Sequence, residues 1–244
     1  MESHPLYQRA KRLGLFAILE DFNLYVKEPW LPLFVDHEER IRCERSVERR
    51  LKNCKAGRFR PMANFDWTRL PKDDRANVEG FFSLEFIRRN ENLVFVGKVG
   101  LGKTMLARNL VHEAARSGFS SLFIDAVHMV NKLEECATSS LLERRIRQFA
   151  RPRLLAIDEL GFTTFSTRGS DLFFQVIKER YENAATIITT NRNPENWGEI
   201  FPSKAIASAV LDRLLHHSEL LAVDGQSYRI FEAQQRKSAK QKPL

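Results

Sequence analysis

The chain has 244 residues, 43% of them hydrophobic, which suits one large packed domain with at most a small appendage and excludes a wholly disordered chain. Its formal charge of +8 favours an anionic partner, and nucleic acid is the commonest large one. Three cysteines argue against a disulfide framework, no apolar run approaches the ~18–20 residues of a membrane helix, and the opening MESHPLYQRAKRLG lacks a secretory signal's apolar core, so a cytoplasmic location with no membrane association is expected.

Residues 1–60 read as a helical N-terminal region, with few β-branched residues and apolar positions at helical spacing. Pro29 and Pro32 interrupt it, so two or more helices are expected. Cys43, Val47, Leu51 and Cys54 step by four, four and three along one helical face, which makes these thiols apolar members of a helix seam. Residues 61–90 read as a linker and the start of the core, punctuated by Pro61 and Pro71 and anchored by Phe65 and Trp67.

From residue 91 the texture changes. Leu93–Val96, Leu122–Ile124, Leu154–Ile157 and Thr186–Thr189 are short apolar or β-branched runs separated by amphipathic helical stretches. This alternation predicts an α/β fold, a parallel sheet wrapped by helices, over residues 91–232. The tail 233–244 has four basic residues and no acids, and is expected to be disordered.

The octapeptide Gly97-Lys98-Val99-Gly100-Leu101-Gly102-Lys103-Thr104 fits G-x-x-x-x-G-K-[ST], a loop whose backbone N–H groups surround phosphate oxygens. Glycine keeps side chains out of that cradle, and the following helix turns its positive end to the same anion. Lys103 is placed to neutralise the β- and γ-phosphates of ATP, and the Thr104 hydroxyl to ligate Mg2+. The run Leu154–Ile157 ends in Asp158 and Glu159, and in a parallel sheet that end lies beside the phosphate loop. Asp158 is expected to hold Mg2+ through water and Glu159 to orient or deprotonate the attacking water. Asp158–Gly161 also fits the D-x-x-G of GTPases, but Asn131-Lys132-Leu133-Glu134 comes too early and ends in Glu where guanine recognition needs Asp, so GTP is disfavoured.

Later in the chain, Thr186–Thr190 reads as a strand ending at Asn191, which is either a γ-phosphate or water ligand or an ordinary turn residue before Pro194. Ala205–His217 reads as a helix carrying Arg213. His216 and His217, adjacent on that helix, are expected to point apart and not to share a metal. Arg229, in a short terminal strand, is a phosphate sensor or a plain edge charge.

Taken together, GKVGLGKTMLA, LLAIDELGF, LFFQVIKERYE, TIITTN followed by Trp197, AVLDRLLHHSE and DGQSYR resemble the IstB family of AAA+ ATPases, and so does the earlier stretch from RRLKNCKAGRF to GFFSLEFI. These are transposition helpers of bacterial insertion sequences, related to DnaC-type helicase loaders. The resemblance covers nearly the whole chain. It implies an AAA+ core at 91–232, ATP-dependent homo-oligomerisation on duplex DNA, and a transposase as partner, with loading of a replicative helicase as the alternative. It makes Asn191 a sensor and Arg213 an arginine finger reaching a neighbouring subunit. Lys98-Val99 and Met105 depart from the family's commoner loop residues without touching the glycines or Lys103.

Two basic stripes are candidate DNA contacts. Arg42, Arg45, Arg49 and Lys52 share one helical face, where phosphate or transposase contact competes with a solvated face supported by Glu38–Arg42 and Glu48–Lys52 pairs. Arg144 and Arg145, with Arg147, lie on a helix between the phosphate loop and the acidic strand, which the family architecture places near bound DNA.

Overall fold

The computed structural model describes residues 2–65, 67 and 72–223. Contacts divide the chain into two compact units, one up to Arg49 and one from Arg50 onward. The first contains α1 (Pro5–Leu13), α2 (Phe16–Glu20), α3 (Phe22–Tyr25) and most of α4 (Trp30–Asn53). Pro5 and Pro32 both fall in the first turn of their helices, where a missing N–H costs nothing. Leu13, Phe22, Leu31 and Val35 make this unit's small core, and Arg9 ties α1 to α4 through Asp36 and Glu39. The expected thiol seam does not hold, because Cys43 is exposed while Cys54, just past the helix end, is buried.

In the second unit the elements follow as α5 (Lys72–Phe81), α6 (Glu85–Arg88), β1 (Asn92–Val96), α7 (Lys103–Arg116), β2 (Ser121–Asp125), α8 (Ala126–Glu134), α9 (Ser139–Ala150), β3 (Leu154–Leu160), α10 (Thr167–Arg180), β4 (Ala185–Thr190), α11 (Lys204–Leu215) and β5 (Ser218–Ala222). The described strands form one parallel sheet in the order β2-β3-β4-β1-β5. Each of the four apolar runs lies inside a strand, as expected of strands buried on both faces.

Two apolar layers sandwich the sheet. Leu93, Phe95, Ala156 and Ile187 face one, with Leu106, Leu110 and Ala114 of α7. Val94, Leu155, Ile157 and Ile188 face the other, with α8, α10 and α11. Residues before 91 also enter the first layer, through Cys54, Ala56, Val78, Phe81 and Ile87. The strand β5 differs from expectation; the terminal strand read around Arg229, and the tail 233–244, lie outside the described residues.

The topology fixes the site. Strand β4 lies between β1 and β3, pairing Val96 with Thr190 on one side and Ile157 with Ile188 on the other. The phosphate loop after β1 and the acids at the end of β3 therefore flank the carboxyl end of β4, where parallel sheets bind ligands.

Candidate active site

The loop leaves β1 at Val96. The Gly97 N–H donates to the Thr190 carbonyl at 3.1 Å, and the Val223 N–H donates to the Val96 carbonyl at 2.7 Å. A Cβ on Gly97 would stand 2.1 Å from the Val223 carbonyl oxygen, so only glycine fits between these chain segments. Gly100 and Gly102 adopt φ values of +86° and +94°, turning the loop so that α7 begins at Lys103. The Lys103 ammonium donates to the carbonyls of Gly97 at 2.5 Å and Lys98 at 2.7 Å, which holds it inside the loop.

At the end of β3 the register with β4 shifts between Ile157 and Leu160. Glu159 takes a left-handed conformation, φ +58°, costly for a residue with a Cβ and typical of a functional bulge. The shift separates two acids that neighbour each other in sequence. Asp158 is buried and Glu159 is exposed. Asp158 Oδ1 accepts from the Thr104 hydroxyl at 3.0 Å and the Thr189 hydroxyl at 2.5 Å. Burial pushes the Asp158 carboxyl above the ordinary carboxylate range, while those two hydroxyls pull it down.

The loop, Glu159 and the end of β4 line a cavity of about 530 Å3. Val99, Gly100, Leu101, Gly102, Lys103, Thr104, Met105, Glu159 and Asn191 line it. Asp158 lies one hydrogen bond behind the wall, through Thr104. Gly97 and Lys98 form the loop's entry and supply carbonyls to Lys103. The volume falls within the ~300–1,000 Å3 of small-ligand sites. The Thr104 hydroxyl and Asp158 carboxylate are the hard oxygen donors that Mg2+ prefers, so the residues present fit a magnesium–nucleotide ligand.

Two parts of the site escape a reading of the sequence. Thr189 is one; its signal is the polar end of TIITT, which draws attention to Asn191 instead. The other is a part of the wall made by Arg58, Phe59, Arg60, Asn64 and Phe65, together with Arg108 of α7. Arg108 donates to the Ala56 carbonyl at 3.0 Å and stacks over Phe123, and Asn109 donates to the Arg60 carbonyl at 2.9 Å. Helix α7 thus fixes both the phosphate loop and this wall.

The late residues are distributed differently. Arg213 is not among the residues lining the cavity. It donates to the Ala209 carbonyl at 2.9 Å, and its guanidinium stacks over Phe174 at 5.0 Å. Arg229 lies outside the described residues. The expectation that His216 and His217 point apart is corrected: their ring centroids are 4.0 Å apart at the end of α11, where His216 still has right-handed helical angles and caps the helix. Of the candidate DNA contacts, Arg42 bonds Glu38, the pair expected, and the Leu13 carbonyl. Arg45 and Arg49 are exposed. Arg144 and Arg145 line a second, smaller cleft with Lys132, and Arg145 donates to Gln148 at 2.7 Å.

The sequence pattern of the IstB-like ATP binding protein family matches residues 20–239. The chain belongs to this family. Among similar IstB-like proteins, one named as an ATP-binding protein of insertion sequence IS5376 in Geobacillus stearothermophilus is 38% identical, over 77% of this chain and 75% of its own. One named for insertion sequence IS21 in Pseudomonas aeruginosa is 36% identical, over 83% and 77%. The IstB-like core has the fold of AAA+ P-loop domains. The crystal structure of DnaI superposes with a TM-score of 0.56 over 73% of this chain and 92% of DnaI, at 20% identity. DnaA from Aquifex aeolicus superposes with a TM-score of 0.55 over 75% of this chain, which spans 56% of the DnaA chain, at 18% identity. Among the described residues no helix is long and apolar enough to cross a membrane.

Proposed function

We propose that this IstB-like chain binds ATP with Mg2+ in the 530 Å3 cavity, hydrolyses it, and couples that cycle to homo-oligomeric assembly on duplex DNA in support of a transposase. The observation that carries the reading is the linkage of Thr104, Asp158 and Thr189 beside an exposed Glu159 and the phosphate loop.

In this reading the loop N–H groups and Lys103 hold the phosphates, and Thr104 and Asp158 hold the metal, which supplies positive charge against the phosphate oxygens. Glu159 faces the cavity from its bulge and orients the attacking water, accepting its proton. Asn191 reaches the γ-phosphate side from the end of β4. Phe59, Phe65 and Met105 offer apolar surface to the base.

The site reads as incomplete in one chain. Val99 and Phe162 are 52% and 68% exposed at the loop and just after the acids, which supports a neighbouring copy covering the rim and bringing its Arg213 to the phosphates. The net charge of +8 and the exposed Arg45, Arg49 and Arg144 support contact with DNA phosphates. Insertion-sequence relatives favour a transposase over a replicative helicase as partner.

Glu159→Gln tests the core of this reading. The variant should bind ATP, lose turnover, and accumulate as an ATP-dependent oligomer on duplex DNA in a sizing experiment. Equal turnover by wild type and variant would remove Glu159 from the chemistry.

A further inference from the structure

We propose that Glu182, His216 and His217 form a surface site for a transition-metal ion of the zinc class. The three side chains come from two turns that meet at the amino end of the sheet. Glu182 lies between α10 and β4, and the histidines lie between α11 and β5. One donor atom from each falls within 4.8 Å of the others, and His217 Nε2 is 3.9 Å from Glu182 Oε1. Donor atoms around a tetrahedral zinc stand about 3.3 Å apart, given Zn–N and Zn–O bonds of about 2.0–2.2 Å. All three side chains are exposed, so small torsional adjustments close the remaining gap. Two imidazoles and a carboxylate are the donor set of many zinc sites, with the fourth position left to water.

The backbone under each donor is held. Glu182 sits at φ +61°, and its carbonyl accepts from Asn90 Nδ2 at 2.8 Å. The His217 carbonyl accepts from the Asn92 N–H at 2.7 Å, which ties it to the start of β1. The His216 N–H donates to the Asp212 carbonyl at 3.0 Å. The Tyr181 hydroxyl meets His216 Nδ1 at 2.8 Å and orients the ring, the kind of outer contact that metal-binding histidines use. Without a metal, Glu182 and His217 make an exposed contact at 3.9 Å, and the two imidazole rings stand 4.0 Å apart. Metal binding separates the two cases, and its readout is independent of ATP turnover.

The experiment uses the full untagged chain, stripped with EDTA and desalted. Zn2+ uptake is measured by titration calorimetry, and Co2+ is used as a spectroscopic probe whose visible ligand-field bands report coordination. One ion per chain is expected. His216→Ala, His217→Ala and Glu182→Gln should each lower affinity by about 10-fold or more, and Tyr181→Phe by about 10-fold. Circular dichroism of each variant should match wild type, since every altered donor is exposed. No stoichiometric uptake at tens of micromolar Zn2+ would overturn the proposal. So would undiminished uptake by the His216→Ala/His217→Ala double variant, which would place the ion elsewhere on the chain.

Discussion

Thr189 Oγ1 stands between the two acids of the site, donating to Asp158 Oδ1 at 2.5 Å and accepting from the Glu159 N–H at 3.0 Å. One buried hydroxyl therefore fixes the carboxylate assigned to the metal and the backbone of the residue assigned to the water. Thr189→Val keeps the shape and deletes both bonds. Unmade bonds to buried polar groups cost about 1–3 kcal/mol each, so a urea midpoint should fall measurably. ATP turnover should fall by about 10-fold or more, as the Glu159 backbone loses its anchor while the side chain stays. Thr189→Ser should restore both. Full activity in the valine variant would make Thr189 a bystander.

The raised Asp158 carboxyl has a pH signature. The unfolded chain loses this proton at the ordinary carboxylate value, 3.8, while the folded chain holds it to a higher pH because burial disfavours the charge. Native stability from this group is therefore full below 3.8 and is lost as pH rises through the folded value. Asp158→Asn removes the dependence and keeps an oxygen for both threonine hydroxyls. In nucleotide-free buffer with EDTA, the variant should melt above wild type at neutral pH and with it in acid. A gain of about 2–4 °C corresponds to ~1 kcal/mol in a chain of this size. MgATP should then stabilise wild type and leave the variant nearly unmoved. Parallel melting curves across pH would contradict the burial argument.

Glycine chemistry differs between two positions. Gly97→Ala places a methyl 2.1 Å from the Val223 carbonyl, at the junction of β1 and β5. Overpacking of this kind costs about 1–3 kcal/mol, and the displaced loop should bind a fluorescent ATP analogue at least ~10-fold more weakly. Gly80 lies in α5, where an added methyl group would meet nothing within 4 Å, and Gly80→Ala should stabilise by about 0.4–1 kcal/mol. The opposite signs, read by chemical denaturation, are the test.

Arg180 is a buried cation held by neutral oxygens. It donates to the carbonyls of Phe149, Ala150, Pro152 and Ala185 and to Thr186 Oγ1, closing the end of α9 onto β4. Burial lowers its pKa to about 9, which leaves it charged at neutral pH. Arg180→Met fills much of the volume and strands these acceptors, so a loss of about 3–5 kcal/mol is expected in urea unfolding. A loss under ~1 kcal/mol would mean that water replaces the guanidinium.

Much of this architecture is legible in the residues, and the failures share a cause. Leu93–Val96 and Leu154–Ile157 read as strands because both their faces are buried, and the phosphate loop reads because glycine spacing encodes its geometry. Ser218–Ala222 carries no clear strand signal because β5 lies at the edge of the sheet among the described residues, with Glu219 and Leu220 exposed and, within the strand, only Leu221 buried. Thr189 acquires its role only from the β3–β4 register, and the bulge at Glu159 leaves no mark in composition. His216 and His217 depart from expectation at the end of α11, where their rings stand 4.0 Å apart instead of diverging. Each miss concerns a relation between segments that lie apart in sequence, or the place where one segment stops.

Arg213 carries the remaining prediction. Its guanidinium rests on Phe174 at 5.0 Å and lies 5.9 Å from the Tyr181 ring, so it is propped on α10 while its own cavity is lined by other residues. An arginine propped on a neighbouring helix and absent from the lining of its own cavity is a candidate for a neighbour's site. Arg213→Ala should leave binding of ATP by the isolated chain within about 2-fold and cut turnover by about 1,000-fold or more, the scale of lost arginine fingers. Phe174→Leu, which removes the ring and keeps the arginine, should cut turnover by a smaller factor. Mixing Arg213→Ala with Lys103→Ala chains decides the geometry. Each mixed interface of the right order joins an intact loop to an intact arginine, so part of the activity should return. If mixtures stay as inactive as either parent, Arg213 acts within its own chain and the composite site is wrong.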